Sequence, residues 1–238
     1  EKMALPKLNQ TPSYELTVPS TQEKLKFRPF LVKEQKILLM AMETQDQKEI
    51  LQAVLNTLEA CLVDGYNINK LKSFDVEYVF MQLRTKSVGE TTKLTFKCSE
   101  CESDNEVVVP INEVNITFAE ENITDIDIGG QYTLKLGYPS FSVIANSDTP
   151  KDEKQSEMLF RMAALCMHTL DTEDEKIRFA DETPAAIDEF MESLTSEQFN
   201  TIMEFAQNIP TLKYSSTFDC AKCLHNNEYK IQGMQDFF

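Results

Sequence analysis

The chain has 238 residues, of which 42% are hydrophobic and 26% are charged, and its formal net charge is −16. These values are typical of a globular protein with one large domain or two small ones. The apolar runs are far shorter than the roughly 20 residues that a membrane-spanning helix needs, so we expect no membrane segment. The opening residues have neither the basic start nor the apolar stretch of a signal peptide, which favours a cytoplasmic protein.

The acidic excess is concentrated in one stretch of the chain. Between Asn112 and Asn208 there are 20 acidic and 6 basic residues, a net charge of −14. Phosphate contacts need clustered Lys and Arg, so this charge weighs against nucleic-acid binding. The stretch is either a solvated, solubilising surface or an acidic face for a basic protein partner.

The N-terminal third predicts a hairpin followed by helices. Alternating runs at residues 14–18 and 25–30 favour two paired strands. Helical periodicity over residues 32–61, with a break near Thr44, predicts two helices, and a third is expected over residues 74–85.

The rest of the chain mixes strands with helices. Strands are predicted at residues 92–96 and 106–111, and between residues 212 and 232. A further hairpin over residues 125–136 is expected to turn at Gly129-Gly130. Beyond Gly137 the pattern is helical, with His168 inside it. Helix starts are predicted by capping signals at Thr149-Pro150, Thr183-Pro184 and Thr195 with Gln198.

The cysteines give the strongest signal in the sequence. There are six, and four of them form two C-x-x-C pairs whose surroundings repeat at a constant offset of 122 residues. The repeated residues are Thr95/Thr217, Phe96/Phe218, Cys98/Cys220, Cys101/Cys223, Asn105/Asn227 and Glu106/Glu228. Two such turns between strands supply the four soft ligands of a tetrahedral zinc ion. We therefore predict one structural Zn²⁺ bound by Cys98, Cys101, Cys220 and Cys223.

Other interpretations of the cysteines remain open but have less support. Disulfides are disfavoured in a reducing cytosol. A thioredoxin-type redox pair needs a helix N-terminus, whereas both pairs here lie between strands. An Fe–S cluster or another thiophilic metal fits the ligands, although the duplicated turn suits zinc better. The lone Cys61 and Cys166 are expected in the core, and His225 is expected to be an exposed loop residue.

The expected fold class is α+β. It comprises a helical N-terminal lobe, β-hairpins that form a four-cysteine zinc ribbon, and a mainly helical insertion between the two zinc knuckles. The predicted domains are residues 1–90 (hairpin plus helical lobe), residues 91–111 with 211–238 (zinc ribbon), and residues 112–210 (acidic hairpin-plus-helices insertion).

The sequence shows no arrangement typical of catalysis. The six glycines form no phosphate-binding loop or nucleophile elbow. The acidic clusters lack the spacing of an EF-hand. We therefore expect a protein that is not an enzyme.

The segment Phe27-Arg28-Pro29-Phe30-Leu31-Val32-Lys33-Glu34-Gln35-Lys36-Ile37-Leu38-Leu39-Met40-Ala41 resembles the opening signature of the T4-type phage baseplate proteins. This family contains the small hub component and the hub-assembly protein of contractile-tailed phages. The resemblance implies a tail baseplate hub structural or assembly protein. Such a protein contacts other phage baseplate and tail hub proteins, in the virion or in the host cytoplasm during assembly. The resemblance implies no catalytic residues. The Arg28-Pro29-Phe30 segment is either a surface for a partner protein or a corner between a strand and a helix.

Two other functions compete with this one. Zinc ribbons also occur in nucleic-acid-binding and transcription-associated proteins, but only four lysines lie near the two cysteine turns, with no aromatic ladder for base stacking. They are Lys93, Lys97, Lys222 and Lys230. A metal-dependent hydrolase would need an open coordination position, which four cysteine ligands do not leave.

Overall fold

The structure is a computed structural model that describes residues 11–118, 123–146 and 154–234. The helix start predicted at Thr149-Pro150 lies outside the described residues. The elements are β1 (Tyr14–Thr17), β2 (Lys24–Phe27), α1 (Val32–Thr44), α2 (Gln47–Cys61), α3 (Ser73–Ser87), β3 (Thr91–Lys97), β4 (Asp104–Pro110), β5 (Asn115–Thr117), β6 (Asp125–Gly129), β7 (Tyr132–Leu136), α4 (Phe141–Asn146), α5 (Gln155–Cys166), β8 (Met167–Asp171), β9 (Lys176–Arg178), α6 (Pro184–Ser193), α7 (Ser196–Gln207), β10 (Thr211–Asp219) and β11 (Asn226–Gln232). The predicted α+β class is confirmed.

The chain divides into two compact units. The first unit is built from Glu1–Ile68, Asp75–Asn115 and Tyr214–Phe238, and the second from Asn69–Phe74 and Ile116–Lys213. Both cysteine pairs therefore belong to the first unit, although most of the chain between them belongs to the second. None of the helices in the described ranges has the length and apolar character that crossing a membrane requires.

The first unit begins with the predicted hairpin and helices. Strands β1 and β2 pair antiparallel. Helix α1 ends where Gln45 adopts the left-handed conformation, with φ 55°. Asp46 then caps α2, because its carboxylate accepts hydrogen bonds from the backbone N–H groups of Lys48 and Glu49. The predicted break between the two helices is thus confirmed.

Arg28 fixes the corner between β2 and α1. Its guanidinium donates to Glu34 Oε1 at 2.8 Å and to the Ala60 carbonyl at 2.8 Å. The Glu34 side chain, in a residue only 3% exposed, also accepts from the Leu31 N–H at the start of α1. These bonds offset the desolvation of the buried Glu34 carboxylate, whose partner Arg28 is half-buried. The structure therefore favours the corner interpretation of Arg28-Pro29-Phe30.

Two long hairpins complete the first unit. Strands β3 and β4 pair antiparallel from Thr91 opposite Pro110 to Lys97 opposite Asp104. Strands β10 and β11 are neighbours in a second sheet. Each hairpin carries one C-x-x-C pair in its turn, as predicted, and β3 extends one residue beyond the predicted strand at each end.

The second unit has a four-stranded antiparallel sheet in the order β6-β7-β8-β9. One cluster of buried side chains forms its core, contributed by this sheet, by α5 and α7, and by the short helical turn that follows β9. The fully or nearly buried members are Ile126, Leu134, Leu136, Ala163, Cys166, Met167, Leu170, Phe179, Ile202 and Phe205. The predicted caps of α6 and α7 are confirmed: Thr183 accepts from the Ala186 N–H, and Thr195 and Gln198 form a capping box.

Two local predictions for the second unit are wrong. The helical pattern stops at Cys166, and His168 lies exposed on strand β8, where Leu170 pairs with Leu134 of β7. Cross-strand pairing here overrides a helical spacing of apolar residues. In the β6–β7 hairpin, Gly129 pairs with Tyr132, so the turn consists of Gly130 and Gln131 instead of Gly129-Gly130.

Candidate metal centre

The first cysteine turn, called knuckle 1 (residues 98–105), is closed by backbone hydrogen bonds. The Cys98 N–H donates to the Ser103 carbonyl at 3.0 Å, and the Glu102 N–H donates to the Cys98 carbonyl at 3.0 Å. Glu102 has φ 55°, a left-handed conformation that reverses the chain after Cys101. The turn therefore places both cysteine side chains on the same side of the hairpin.

The second cysteine turn, knuckle 2 (residues 220–227), repeats this geometry. The Cys220 N–H donates to the His225 carbonyl at 2.9 Å, and the Leu224 N–H donates to the Cys220 carbonyl at 2.9 Å. Leu224 has φ 60° and corresponds to Glu102. The sequence repeat is thus also a structural repeat, down to its backbone hydrogen bonds.

The two knuckles bring their four sulfur atoms together. Cys98 Sγ lies 3.6 Å from Cys223 Sγ, and Cys101 Sγ lies 3.6 Å from Cys220 Sγ. All four sulfurs lie within 4.8 Å of one another. A tetrahedral ZnS₄ site with bonds of about 2.3 Å has sulfur–sulfur edges of about 3.8 Å. The spacing and the soft donor set therefore fit a four-coordinate thiophilic metal.

Each knuckle is also held by an asparagine of the other. Asn105 Oδ1 accepts from the Ala221 N–H at 2.9 Å, and Asn227 Oδ1 accepts from the Ser99 N–H at 2.9 Å. Both asparagines are buried. The sequence repeat had paired these residues without indicating a role, and the structure gives them one: they lock the two turns together next to the sulfurs.

Aromatic rings pack between the two hairpins. Phe96 and Phe218, which are equivalent in the repeat, stack with their centroids 6.1 Å apart. Phe96 also lies 4.6 Å from the ring of Tyr229. Such ring pairs add to the apolar area that the hairpins bury. Apolar packing therefore helps the asparagine hydrogen bonds to hold the two knuckles in position.

Comparison with known proteins now identifies the family. The family model described as T4 bacteriophage base plate protein matches residues 11–238, nearly the whole chain. The chain belongs to this family. Its role is therefore a structural one in a phage tail baseplate, and the resemblance seen in the sequence is confirmed. No curated protein and no solved structure gave a match.

The thiols of this baseplate protein differ in acidity. A hydrogen bond with the Ser103 hydroxyl, together with the backbone N–H groups of Cys223 and Lys222, lowers the pKa of Cys220 to about 5. Burial would raise the pKa of Cys98, but hydrogen bonds from the Cys101 and Glu100 backbone outweigh it and lower this pKa. One cysteine in each knuckle, Cys98 or Cys220, therefore ionises to the thiolate more easily than a free cysteine.

The exposed Cys223 behaves in the opposite way. A backbone hydrogen bond with His225 lowers the pKa of the Cys223 thiol, but desolvation of its sulfur and the three neighbouring sulfurs outweigh it and raise this pKa to about 12. Four sulfurs this close cannot all ionise without a cation, because like charges repel. Binding a metal here must therefore release protons.

The other candidate residues lie apart from this centre. Cys61 and Cys166 are buried in the first and second units respectively, as expected for core cysteines. His225 is exposed in the turn of knuckle 2. Among the described residues, the four knuckle cysteines are the group whose ligand atoms lie close enough together to hold a metal ion. Sequence reasoning missed Ser103, which contacts both Cys101 and Cys220; the equivalent position in the repeat is His225, so the hydroxyl is not repeated.

Proposed function

We propose that this chain is a structural or assembly protein of the tail baseplate hub that acts through protein–protein contacts. In this proposal Cys98, Cys101, Cys220 and Cys223 bind one structural Zn²⁺. The main support for the metal is that four sulfurs come together from two hairpins that are far apart in the sequence. The family match over residues 11–238 carries the proposal for the baseplate.

The donor set supports a structural zinc ion. Zinc is commonly held by four thiolates in closed tetrahedral sites, whereas Mg²⁺ and Ca²⁺ prefer oxygen ligands. A closed site leaves no position for an activated water, which supports a protein that is not an enzyme. In small peptides such sites contribute roughly 10–16 kcal/mol of apparent binding energy at neutral pH.

The position of the metal explains what it would stabilise. Cys101 and Cys220, whose sulfurs are neighbours, are 119 residues apart in the sequence. A zinc ion would therefore clamp both ends of the long insertion that contains most of the second unit. It would fix the ends of this insertion without a disulfide, which suits a protein made in the reducing cytoplasm of the host.

Nucleic-acid binding has less support. Three of the four lysines near the knuckles lie close to carboxylates: Lys93 to Glu106 at 2.7 Å, Lys97 to Asp104 at 3.0 Å and Lys230 to Glu228 at 3.4 Å. Positive charge paired in this way is less available for phosphates. Tight, salt-sensitive DNA binding at moderate salt would favour this alternative.

A pull-down from infected cells with mass spectrometry tests the proposed hub role. We expect tail hub proteins to be recovered with the wild-type chain and lost with a Cys101→Ser variant, while Cys61→Ser retains them. Recovery of polymerase or DNA-processing proteins alone would overturn the proposal. Mass spectrometry of purified virions then separates a permanent tail component from a factor that acts only in the host cytoplasm during assembly.

A further inference from the structure

Helix α1 has two different faces. The inner face consists of Glu34, Leu38, Ala41 and Met42, which follow the i, i+4, i+7, i+8 spacing of one side of a helix. Glu34 and Leu38 are buried, and Ala41 and Met42 are half-buried. This face attaches α1 to the rest of the first unit.

The opposite face, called the outer stripe, is exposed and partly apolar. It consists of Val32, Lys36, Leu39, Met40 and Glu43, again at helical spacing. Val32 is 79% exposed, Leu39 is 54% exposed and Met40 is 56% exposed. Large apolar side chains that are adjacent on one exposed helix face are typical of an interaction surface.

The two charges of the outer stripe lie on either side of its apolar centre. Lys36 precedes Leu39 by three residues and Glu43 follows Met40 by three residues, which in each case is almost one turn. Both charged side chains are exposed, and within the described ranges neither has an ion-pair partner. The stripe therefore presents a cation, an apolar centre and an anion in this order along α1.

This order is self-complementary. When two copies of α1 lie antiparallel about a twofold axis between Leu39 and Met40, Lys36 of each copy faces Glu43 of the other. Leu39 of each copy then faces Met40 of the other. A twofold interface requires this kind of reciprocity, in which the same patch on both subunits matches itself. We propose that the outer stripe pairs with the outer stripe of a second copy of this chain to form an antiparallel helix–helix dimer contact.

Size and charge determine the strength of this contact. One helix pair buries less area than standard stable interfaces, so the dimer is weak and forms at high local concentration. Most of the net charge of −16 lies between residues 112 and 208. Repulsion between two acidic copies weakens the dimer further at low salt. We therefore expect dimerisation to strengthen with moderate salt, until screening also removes the Lys36–Glu43 attraction.

Sedimentation velocity of the whole 238-residue chain, purified in the presence of zinc, over a range of concentrations tests the proposal. We expect a monomer–dimer equilibrium in the wild type. Lys36→Glu and Glu43→Lys should each weaken the dimer about tenfold, because two attractive pairs become two repulsive ones. The double variant K36E/E43K should restore the dimer to within about twofold of the wild type, since the pairs are regenerated with reversed sign.

A matched control and two clear results decide the outcome. Lys70→Glu makes the same change of net charge as Lys36→Glu, at an exposed residue outside α1, and should weaken the dimer much less than Lys36→Glu does. A wild type that stays monomeric, or a double variant as weak as the single ones, would overturn the inference. The pull-down tests the hub role separately. A chain that stays monomeric in sedimentation but still recovers hub proteins in the pull-down would keep the hub role. The outer stripe would then bind a helix of another protein.

Discussion

Asn105 and Asn227 each hold the knuckle of the other. Asn105 Oδ1 binds the Ala221 N–H and Asn227 Oδ1 binds the Ser99 N–H, both at 2.9 Å. Each amide also donates back to its own turn, to the carbonyls of Ser103 and His225. The two residues therefore orient the turns that present the sulfurs, as groups around a metal site orient its ligands.

Replacing these asparagines is expected to weaken metal binding. Asn105→Ala leaves the Ala221 N–H without its acceptor, and loss of such a supporting bond typically lowers metal affinity about 10- to 100-fold. Asn227→Ala should have the larger effect, because the Asn227 amide also lies 3.6 Å from Cys98 Sγ. Competition with a zinc-binding dye measures both affinities. Asn112→Ala, at an exposed asparagine outside the knuckles, is the control, and equal affinities in all three variants would contradict the role of the asparagines.

The six cysteines are expected to fall into two classes of reactivity. Burial raises the pKa of Cys61 to about 11 and the pKa of Cys166 to about 12, so both remain unreactive thiols in the folded protein. The four knuckle cysteines should be protected by the metal. Once a chelator removes it, Cys98 and Cys220 should react first, because their pKa values are lowered. Mass spectrometry after alkylation, with and without chelator, counts the modified thiols. Modification of Cys61 or Cys166 before global unfolding would contradict this assignment.

The buried Glu34 is expected to make the first unit sensitive to acid. Burial would raise the pKa of Glu34, but hydrogen bonds from Arg28 and the Leu31 N–H outweigh it and lower this pKa. A carboxyl group with a lower pKa in the folded state stabilises the fold above its unfolded pKa, about 4.3 for Glu. This stabilisation is lost as the pH falls through the lower, folded value.

Glu34→Gln should therefore lower the free energy of unfolding by about 2 kcal/mol at pH 7, the value of a lost hydrogen bond to a charged group. The difference from the wild type should shrink below about pH 4. Denaturant unfolding at several pH values measures it. The exposed Glu59→Gln on α2 is the control, and an E34Q variant as stable as this control at neutral pH would exclude the buried ion pair as a stabilising element.

The cysteine turns could be predicted from the sequence because their residue types are specific and the pattern occurs twice. Both hairpins and the caps at Thr183 and Thr195 are local features, set by neighbouring residues. The role of Asn105 could not be predicted, because its partner Ala221 is 116 residues away. A repeat shows that two positions are equivalent, but it does not show that they face each other.

Strand β8 and the outer stripe of α1 show the limits of periodicity. Leu165, Cys166 and Leu170 fit a helical spacing, yet β8 forms because its backbone pairs with β7 and β9. On α1, Leu38 and Leu39 are neighbours of the same type, but Leu38 is buried and Leu39 is exposed. Spacing indicates that a helix forms, whereas only the packed structure shows which of its faces the protein covers.

Metal content measured together with the absorption spectrum of the cobalt-substituted protein is the most direct test of the zinc clamp. Purified chain should contain one zinc ion per molecule, and Co²⁺ in its place should give the spectrum of a tetrahedral site with four thiolates. Cys61→Ser should preserve both results and Cys98→Ser should lose them. A protein without stoichiometric metal, or a cobalt spectrum with nitrogen or oxygen ligands, would contradict the account.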